Sequence, residues 1–518
     1  MDANFLSTRN QTATRLTDRI FTMLRFAAAT ALSLLPLAAQ TQDAAKVLAD
    51  FVEAARSQPV EYFSDVFFRL HEANRFRDWA QILKLLEEVF QRAAEARQAL
   101  PVQPARLVVT SEQARILVQA QRFRVQRIPI QARVIDLMAN LNPQRAREML
   151  REIVPPSQNR PSCGDALVSN PASFYETMQR VMQNAAGAGE AVRREGLRVL
   201  EDHIRSLTNA PQIGPVADIA RLYLPADTDG VLVTDLGAAL SNVQDSDRAF
   251  SFAVEQMGLV DSVLNFADAA RQRQQPVVGL IASLRGFLLR HYTGNRCADN
   301  VPVEAAAWMT PPNQLRPIEQ FNARGIRMAS GLEPILPKDR VPGRVESSFP
   351  SAEPSTRTMY VHINERITQL RSARRDENWP GQATEVVRSI EEFRPPDGVA
   401  AAETFHQKAL LFRLMLETLP SGALFRQVLA DQIRLLLETP LRRDSPAEWL
   451  YHVDALLELA RRARPAPSRE DQTRNQMLGY ASFASGHPAG QEVIEAMASS
   501  YDPLLSLYGK LERLAPLR

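Results

Sequence analysis

The sequence is poor in cysteine, histidine and glycine, and each scarcity argues against a class of metal-binding or catalytic motif. Two cysteines and seven well-separated histidines in 518 residues do not form the short ligand spacings of a zinc site or a zinc metalloprotease. The 21 glycines do not form a phosphate-binding loop, and the G-x-S-x-G turn of a hydrolase nucleophile is missing. We therefore expect no cofactor, no metal and no catalytic residue that a motif identifies.

An excess of basic residues is also lacking. The chain has 61 Lys and Arg against 59 Asp and Glu, and residues 40–518 contain 57 of each because residues 1–39 hold four bases and two acids. A nucleic-acid-binding surface needs a basic field that displaces counterions from phosphates. The sequence therefore predicts no nucleic-acid partner.

Long apolar runs are confined to the N-terminus. Arg25 precedes an apolar run of about 14 residues that ends near the small residues Ala38 and Ala39, which is the order of a secretory signal peptide. We predict a signal peptide over residues 1–39, with Met23 as an alternative translation start. Because a membrane-spanning helix needs about 20 apolar residues, we expect no stable membrane insertion after signal cleavage. The mature chain is then periplasmic or extracellular.

Cys163 and Cys297 both follow the predicted cleavage site and lie in similar polar segments. An exported protein meets an oxidising compartment, in which an even number of cysteines usually pairs. We predict a disulfide between them, and the alternative is two unpaired, buried thiols. Closing so long a loop stabilises the fold by about 4–5 kcal/mol in the chain-entropy model.

Apolar residues recur with helical spacing through most of the chain after residue 43. Trp79, Ile82 and Leu86 begin one such stripe, and polar residues occupy the opposite face. Strand-like runs such as 231–233 are short, so we interpret them as loop edges. The sequence predicts an all-α fold with little or no β-structure. We expect an irregular array of antiparallel helix pairs, an α-solenoid of the HEAT- or TPR-like superhelical kind without a matching repeat motif.

A proline-rich stretch interrupts this pattern. Residues 331–357 contain five prolines and no apolar period, which is typical of a linker. We therefore predict an N-terminal helical-repeat domain over residues 43–330 and a C-terminal helical domain over residues 358–518.

Aromatic residues suggest a contact surface near the start of the first domain. Tyr62, Phe63, Phe67 and Phe68 place four large rings in seven residues, more than one helix face is expected to bury. We predict Phe68 and Trp79 as partner contacts.

One pair of polar residues has the spacing of metal ligands. Glu448 and His452 share a helical face four residues apart, which offers two of the ligands that a metal needs. The favoured interpretation is an ordinary polar pair, because Ser445 and Glu448 have the spacing of a helix-capping box.

These features favour an exported, non-enzymatic helical scaffold that mediates protein–protein interaction in the cell envelope. Its partner is an unknown envelope or secreted protein. The alternative is a cell-envelope enzyme of the glycan hydrolase type, with carboxylates assembled from distant helices. A cleft holding two inward carboxylates about 5–9.5 Å apart would distinguish that enzyme from a scaffold.

Overall fold

The computed structural model describes residues 46–104, 112–154, 167–243, 258–291, 316–336, 354–374, 376–394, 400–462 and 489–514. The predicted signal peptide and both cysteines lie outside these residues. The chain divides into two compact units, residues 1–58 and residues 59–518. In the first unit, helix α1 covers residues 46–56 and buries Phe51, Val52 and Ala55.

The first part of the second unit consists of amphipathic helices joined by short turns. They are α2 (Val60–Glu72), α3 (Trp79–Arg92), α4 (Glu112–Ala120), α5 (Arg127–Leu141), α6 (Pro143–Glu152), α7 (Ala172–Ala186), α8 (Glu190–Arg205), α9 (Ala210–Tyr223), α10 (Val231–Asn242), α11 (Leu259–Gln272) and α12 (Val278–His291). Single 3₁₀ turns, Ala93–Glu95 and Gln121–Phe123, extend α3 and α4.

Helices also make up the second part. They are α13 (Arg316–Gln320), a π-helical turn (Phe321–Gly325), α14 (Ile326–Met328), α15 (Pro354–Ser372), α16 (Trp379–Glu391), α17 (Ala401–Thr418), α18 (Ala423–Glu438), α19 (Leu441–Asp444), α20 (Pro446–Arg462), α21 (Gly490–Ala498) and α22 (Pro503–Leu514). Helix α15 begins within the predicted linker. None of the helices in the described ranges is both long and apolar enough to cross a bilayer.

The sheet content of the described residues is a single antiparallel pair. Strand β1 (Val102–Pro104) pairs with β2 (Leu167–Ser169), and Val102 lies opposite Ser169. The prediction of an all-α fold with little β-structure is therefore confirmed.

The interpretation of residues 231–233 as a loop edge was wrong, because they form the first turn of α10. Both oxygens of the Asp227 carboxylate accept hydrogen bonds from backbone N–H groups, those of Val231 at 2.9 Å and Leu232 at 3.0 Å. These donors have no partner within the helix, so Asp227 fixes where α10 begins. Gly230, with a φ of 70°, lies in the turn that connects Asp227 to the first residue of α10.

Alternate helices contact one another along the first part of the second unit. One row runs through α3, α5, α7, α9 and α11, and a second row through α8, α10 and α12. Each helix thereby buries its apolar stripe against the helix two positions away as well as against its sequence neighbour.

Residues from both sides of the predicted linker belong to the second unit. Helix α4 contacts α17 and α20, and α2 also contacts α20. The Tyr62 hydroxyl donates to the Arg442 carbonyl at 2.7 Å, and the Tyr508 hydroxyl donates to the Asp65 carboxylate at 3.0 Å. Helices α2 and α4 of this unit therefore pack against helices that lie several hundred residues later in the sequence.

Helix α20 is anchored by a buried tryptophan. Trp449 is fully buried, and its indole N–H donates to the Leu436 carbonyl at 3.0 Å. The ring meets Tyr62 edge-on, with centroids 5.3 Å apart, and lies 6.2 Å from Tyr508. Truncating such a side chain costs about 3–5 kcal/mol, so Trp449 holds α20 firmly in place.

Candidate functional site: a charged cleft and a buried histidine pair

Helix α20 presents polar residues in two directions. Glu448 and His452 lie one turn apart and contact His406 of α17. Asp454, Glu458 and Arg461 follow at helical spacing and line a cleft of about 610 Å³. This volume falls within the range of small-molecule and cofactor pockets, roughly 300–1,000 Å³.

Charged side chains line most of the cleft. Five of them are arginines, namely Arg69, Arg122, Arg124, Arg133 and Arg461. Four are acids, namely Asp65, Glu72, Asp454 and Glu458, and the ring of Phe123 supplies the aromatic surface. The cleft is therefore polar and nearly balanced in charge.

The floor of the cleft is a buried ion pair between residues one turn apart on α2. Arg69 Nε lies 2.8 Å from Asp65 Oδ2, and both side chains are almost fully buried. Burial acts to lower the pKa of Arg69, but the neighbouring acids, Asp65 first, more than offset it and raise the pKa. Burial raises the pKa of Tyr508 well above its usual value. Tyr508 therefore keeps its proton, and its hydroxyl donates a hydrogen bond to Asp65.

Asp454 is the carboxylate on which the arginines converge. Its Oδ2 lies 2.7 Å from Arg122 Nη2, and its Oδ1 lies 2.9 Å from Arg461 Nη2 and 4.0 Å from Arg69 Nη2. Arg461 also donates to both oxygens of Glu512, at 3.1 Å each. Such two-bond contacts between guanidinium and carboxylate are strong and directional. They fix α20 and α22 against the floor of the cleft.

At the rim the charges are less completely matched. Arg133 Nη2 lies 2.9 Å from Glu72, which is mostly exposed, and its guanidinium carbon lies over the Phe68 ring, 3.8 Å from the ring centroid. Burial lowers the pKa of Arg133 by more than the neighbouring carboxylates of Asp65 and Glu72 raise it. Arg124 is exposed, has a φ of 54°, and forms no ion pair with any residue in the described ranges.

Every carboxylate in the lining has a guanidinium partner. The pairs are Asp65 with Arg69, Glu72 with Arg133, Asp454 with Arg122 and Arg461, and Glu458 with Arg413 at 3.2 Å. A general acid for glycoside cleavage must donate a proton, and a carboxylate paired with arginine is a poor donor. The described lining thus lacks the free carboxylate pair that would mark a glycan hydrolase.

The other face of α20 takes part in a buried hydrogen-bond chain. The Ser445 hydroxyl donates to Glu448 Oε1 at 2.5 Å. Glu448 Oε2 lies 2.6 Å from His406 Nε2, and His406 Nδ1 lies 2.9 Å from His452 Nε2. Both imidazoles are buried, and the Phe405 ring packs edge-on against each of them.

A single hydrogen bond joins the rings of His406 and His452, and it contains one proton. Burial lowers the pKa of His452 well below its usual value, and the nearby charges of His406 and Arg413 lower it further. Because one ring must donate and the other must accept, the pair cannot hold two positive charges without losing the bond. Arg413 also pairs with Glu458 at the cleft, so it links the two faces of α20.

The sequence identified Ser445, Glu448 and His452 of this hydrogen-bond chain and missed the fourth member, His406. Glu448 and His452 do share a helical face, but both bind His406, which lies 42 residues before Glu448. No local pattern marks His406, because its partners belong to another helix. In the described part of the chain, no group of three His, Cys, Asp or Glu could hold a metal ion.

The predicted partner contacts have different surroundings. Trp79 is 61% exposed, so it is accessible on the surface. The expectation that Phe68 is left at the surface was wrong, because all four rings of the aromatic stripe are buried and Arg133 covers Phe68. Phe68 is therefore buried with the help of Arg133, which belongs to a different helix, α5. Cys163 and Cys297 lie outside the described residues, and their pairing stays a prediction.

Comparison with known protein families and with curated proteins finds no match to this chain.

Proposed function

We propose that this chain is a non-enzymatic helical scaffold that binds another protein, and that it works in the cell envelope after export. The arginine-paired cleft beside α20 is the observation that carries the proposal. Ion pairs order its walls before any ligand arrives, and ordered walls reduce the entropy cost of binding.

The row-wise contacts of the helices support a solenoid-like array. In helical solenoids, stacked pairs bring every second helix into contact, and α5, α7, α9 and α11 follow this order. Such arrays commonly present extended binding surfaces. Fold alone does not assign a function. We therefore place the binding site at the cleft, on the evidence of its lining residues and not of the helical array.

The enzyme alternative has weaker support at this site. A hydrolase would need one carboxyl group that stays protonated beside a second that stays ionised. The described carboxylates of the cleft are each engaged by arginine. We therefore favour recognition over hydrolysis.

Photo-crosslinking in the native envelope tests the binding function. A photoreactive amino acid is placed at Glu458, in the cleft lining, and separately at the exposed Trp79; the control position is the exposed Arg273 of the loop after α11. We expect one discrete protein, identified by mass spectrometry, to be captured from the cleft position and not from the control. Capture of the same background proteins from all three positions would contradict the proposal.

Export is tested separately by sequencing the N-terminus of the protein isolated from the envelope. We expect the mature chain to begin near Gln40. A chain that keeps residues 24–39 in a cytosolic fraction would count against export.

The proposed disulfide is tested on the same preparation. Alkylation of the unreduced, denatured protein is expected to leave Cys163 and Cys297 unlabelled, as judged by intact mass. Two added labels would refute the pairing.

A further inference from the structure

We propose that an apolar pocket between α17, α18 and α19 binds a small, neutral aromatic molecule of about nine non-hydrogen atoms. The apolar pocket shares no lining residue with the charged cleft. The inference therefore goes beyond the proposed binding function and does not depend on it.

Hydrocarbon side chains form most of the lining of the apolar pocket. They come from the start of α17, the end of α18 and the link to α19, and they are Ala401, Ala402, Phe405, Leu435, Pro440 and Leu441. Phe405 and Leu441 are buried, whereas Ala401 and Pro440 are exposed. The pocket is therefore an apolar recess that solvent and a ligand can enter.

The aromatic wall of the pocket, Phe405, is held from behind by the buried histidine pair. Its ring packs edge-on against His406 and His452, with centroids 5.4 Å and 5.1 Å away. Hydrogen bonds join the two imidazoles to each other and to Glu448. A ring fixed in this way offers a preformed surface for edge-to-face or offset contact with an aromatic ligand, and little ordering is needed on binding.

The hydroxyl groups of the lining are engaged with the backbone. Thr404 Oγ1 donates to the Ala400 carbonyl at 3.4 Å, and Thr439 Oγ1 accepts from the Leu441 N–H at 3.3 Å. Water that lacks several polar partners is poorly held. An apolar group that displaces such water gains affinity, so the pocket favours an apolar ligand over water.

The charges at the apolar pocket are balanced. Lys408 and Glu438 line it, and Lys408 Nζ already donates to the Glu391 carbonyl at 2.9 Å. The other charged groups that act on Lys408, with the arginine that pairs with one of them, are Arg394, Glu391, Asp431 and Arg434. Together with Lys408 and Glu438 they are three bases and three acids. An ion of either sign meets like charge as well as opposite charge and must leave water, so a neutral ligand is favoured.

The volume of the apolar pocket sets the size of the ligand. The pocket has about 220 Å³, whereas an apolar cavity of roughly 150 Å³ holds benzene, which has six non-hydrogen atoms. In proportion, this pocket holds about nine non-hydrogen atoms. A well-fitting ligand of this size binds with a dissociation constant of about 0.1–1 mM.

Ligand-observed NMR titration of the full-length chain tests the inference. Three probes of nearly equal size are compared, namely neutral acetophenone, the anion benzoate and the cation benzamidinium. We expect acetophenone to bind with a dissociation constant of about 0.1–1 mM, and each ion at least about tenfold more weakly. Equal binding of either ion, or no binding of acetophenone at about 10 mM, would overturn the inference.

Substitutions that fill the pocket assign the binding to it. Ala402→Leu adds three carbons to the lining from α17, and Ala430→Leu makes the same change at an exposed position of α18 outside the lining. Since close packing leaves no room for both the new side chain and the ligand, we expect Ala402→Leu to weaken acetophenone binding at least about tenfold. We expect Ala430→Leu to bind acetophenone like the unmodified chain.

A second variant, Leu435→Phe, fills the pocket from α18. Thermal denaturation followed by circular dichroism shows which variants are folded, and binding is compared only among those. We expect Leu435→Phe to lose acetophenone binding as Ala402→Leu does. Acetophenone binding that survives in a folded filling variant, or that is lost equally in Ala430→Leu, would place the ligand elsewhere and overturn the assignment.

Discussion

Acidification should destabilise this fold through His203, a buried histidine on α8. Its Nε2 lies 3.3 Å from the Tyr175 hydroxyl, and the Phe174 ring packs 5.7 Å away. Burial lowers the pKa of His203 to about 4. The neutral ring is thus preferred in the folded state over a much wider range of pH than in the unfolded chain.

The sign and size of the effect follow from proton linkage. An unfolded histidine titrates near pH 6.5. Below that pH His203 is protonated in the unfolded chain and stays neutral in the folded protein. The free energy of unfolding therefore decreases as pH falls, and it stops decreasing near pH 4, where folded His203 also becomes protonated. At about 1.4 kcal/mol per pH unit, the full effect is about 3 kcal/mol, of which about 2 kcal/mol is lost by about pH 5.

Urea denaturation at about pH 7.5 and about pH 5 measures this loss. Other groups also titrate in this range, so the comparison is between the unmodified chain, His203→Gln, and the control His362→Gln at an exposed site on α15. We expect the drop in unfolding free energy to be about 2 kcal/mol smaller in His203→Gln and unchanged in His362→Gln. A full drop in His203→Gln would refute the assignment of the effect to the buried ring.

Further predictions concern close packing and buried charge at the end of the chain. Gly509→Ala places a Cβ 2.4 Å from the Ala498 backbone nitrogen, and we expect thermal denaturation to show a loss of about 1–3 kcal/mol. Gly381→Ala, on α16, meets no atom within 4 Å, so we expect a gain of about 0.5 kcal/mol from helix propensity; a loss in both variants would contradict the packing argument. Glu512→Gln removes charge from the fully buried partner of Arg461, and we expect urea denaturation to show about 2–4 kcal/mol of destabilisation. An unchanged midpoint would mean that Arg461 is compensated elsewhere.

Much of the fold could be predicted from local chemistry. Helix α20 begins at Pro446 as the capping pattern predicts, and α6 begins after Asn142, whose side chain accepts from the Arg145 N–H at 3.1 Å. The 231–233 segment was misinterpreted as a loop edge because its β-branched residues resemble a strand and the run is too short to form one. In the fold, the cap at Asp227 overrides that preference.

The site could be predicted only in fragments. Spacing within one helix places Glu448 and His452 on a common face, but their shared partner, His406, comes from a different helix. The same limit applies to Phe68, whose cover is supplied by Arg133. Periodicity indicates which residues turn inward, and it carries no information about which distant residue meets them.

The hydrogen bond between Tyr508 and Asp65 joins positions 443 residues apart, and this separation has a consequence for synthesis. A ribosome must synthesise the chain at least as far as Tyr508 before Asp65 gains this hydrogen-bond partner. Contacts of such long sequence separation slow folding. A chain that stops before Tyr508 would therefore leave the buried ion pair of Asp65 and Arg69 without this neighbour. We expect such a truncation to destabilise α2, the first helix of the second unit, although α2 lies far from the truncated position in sequence.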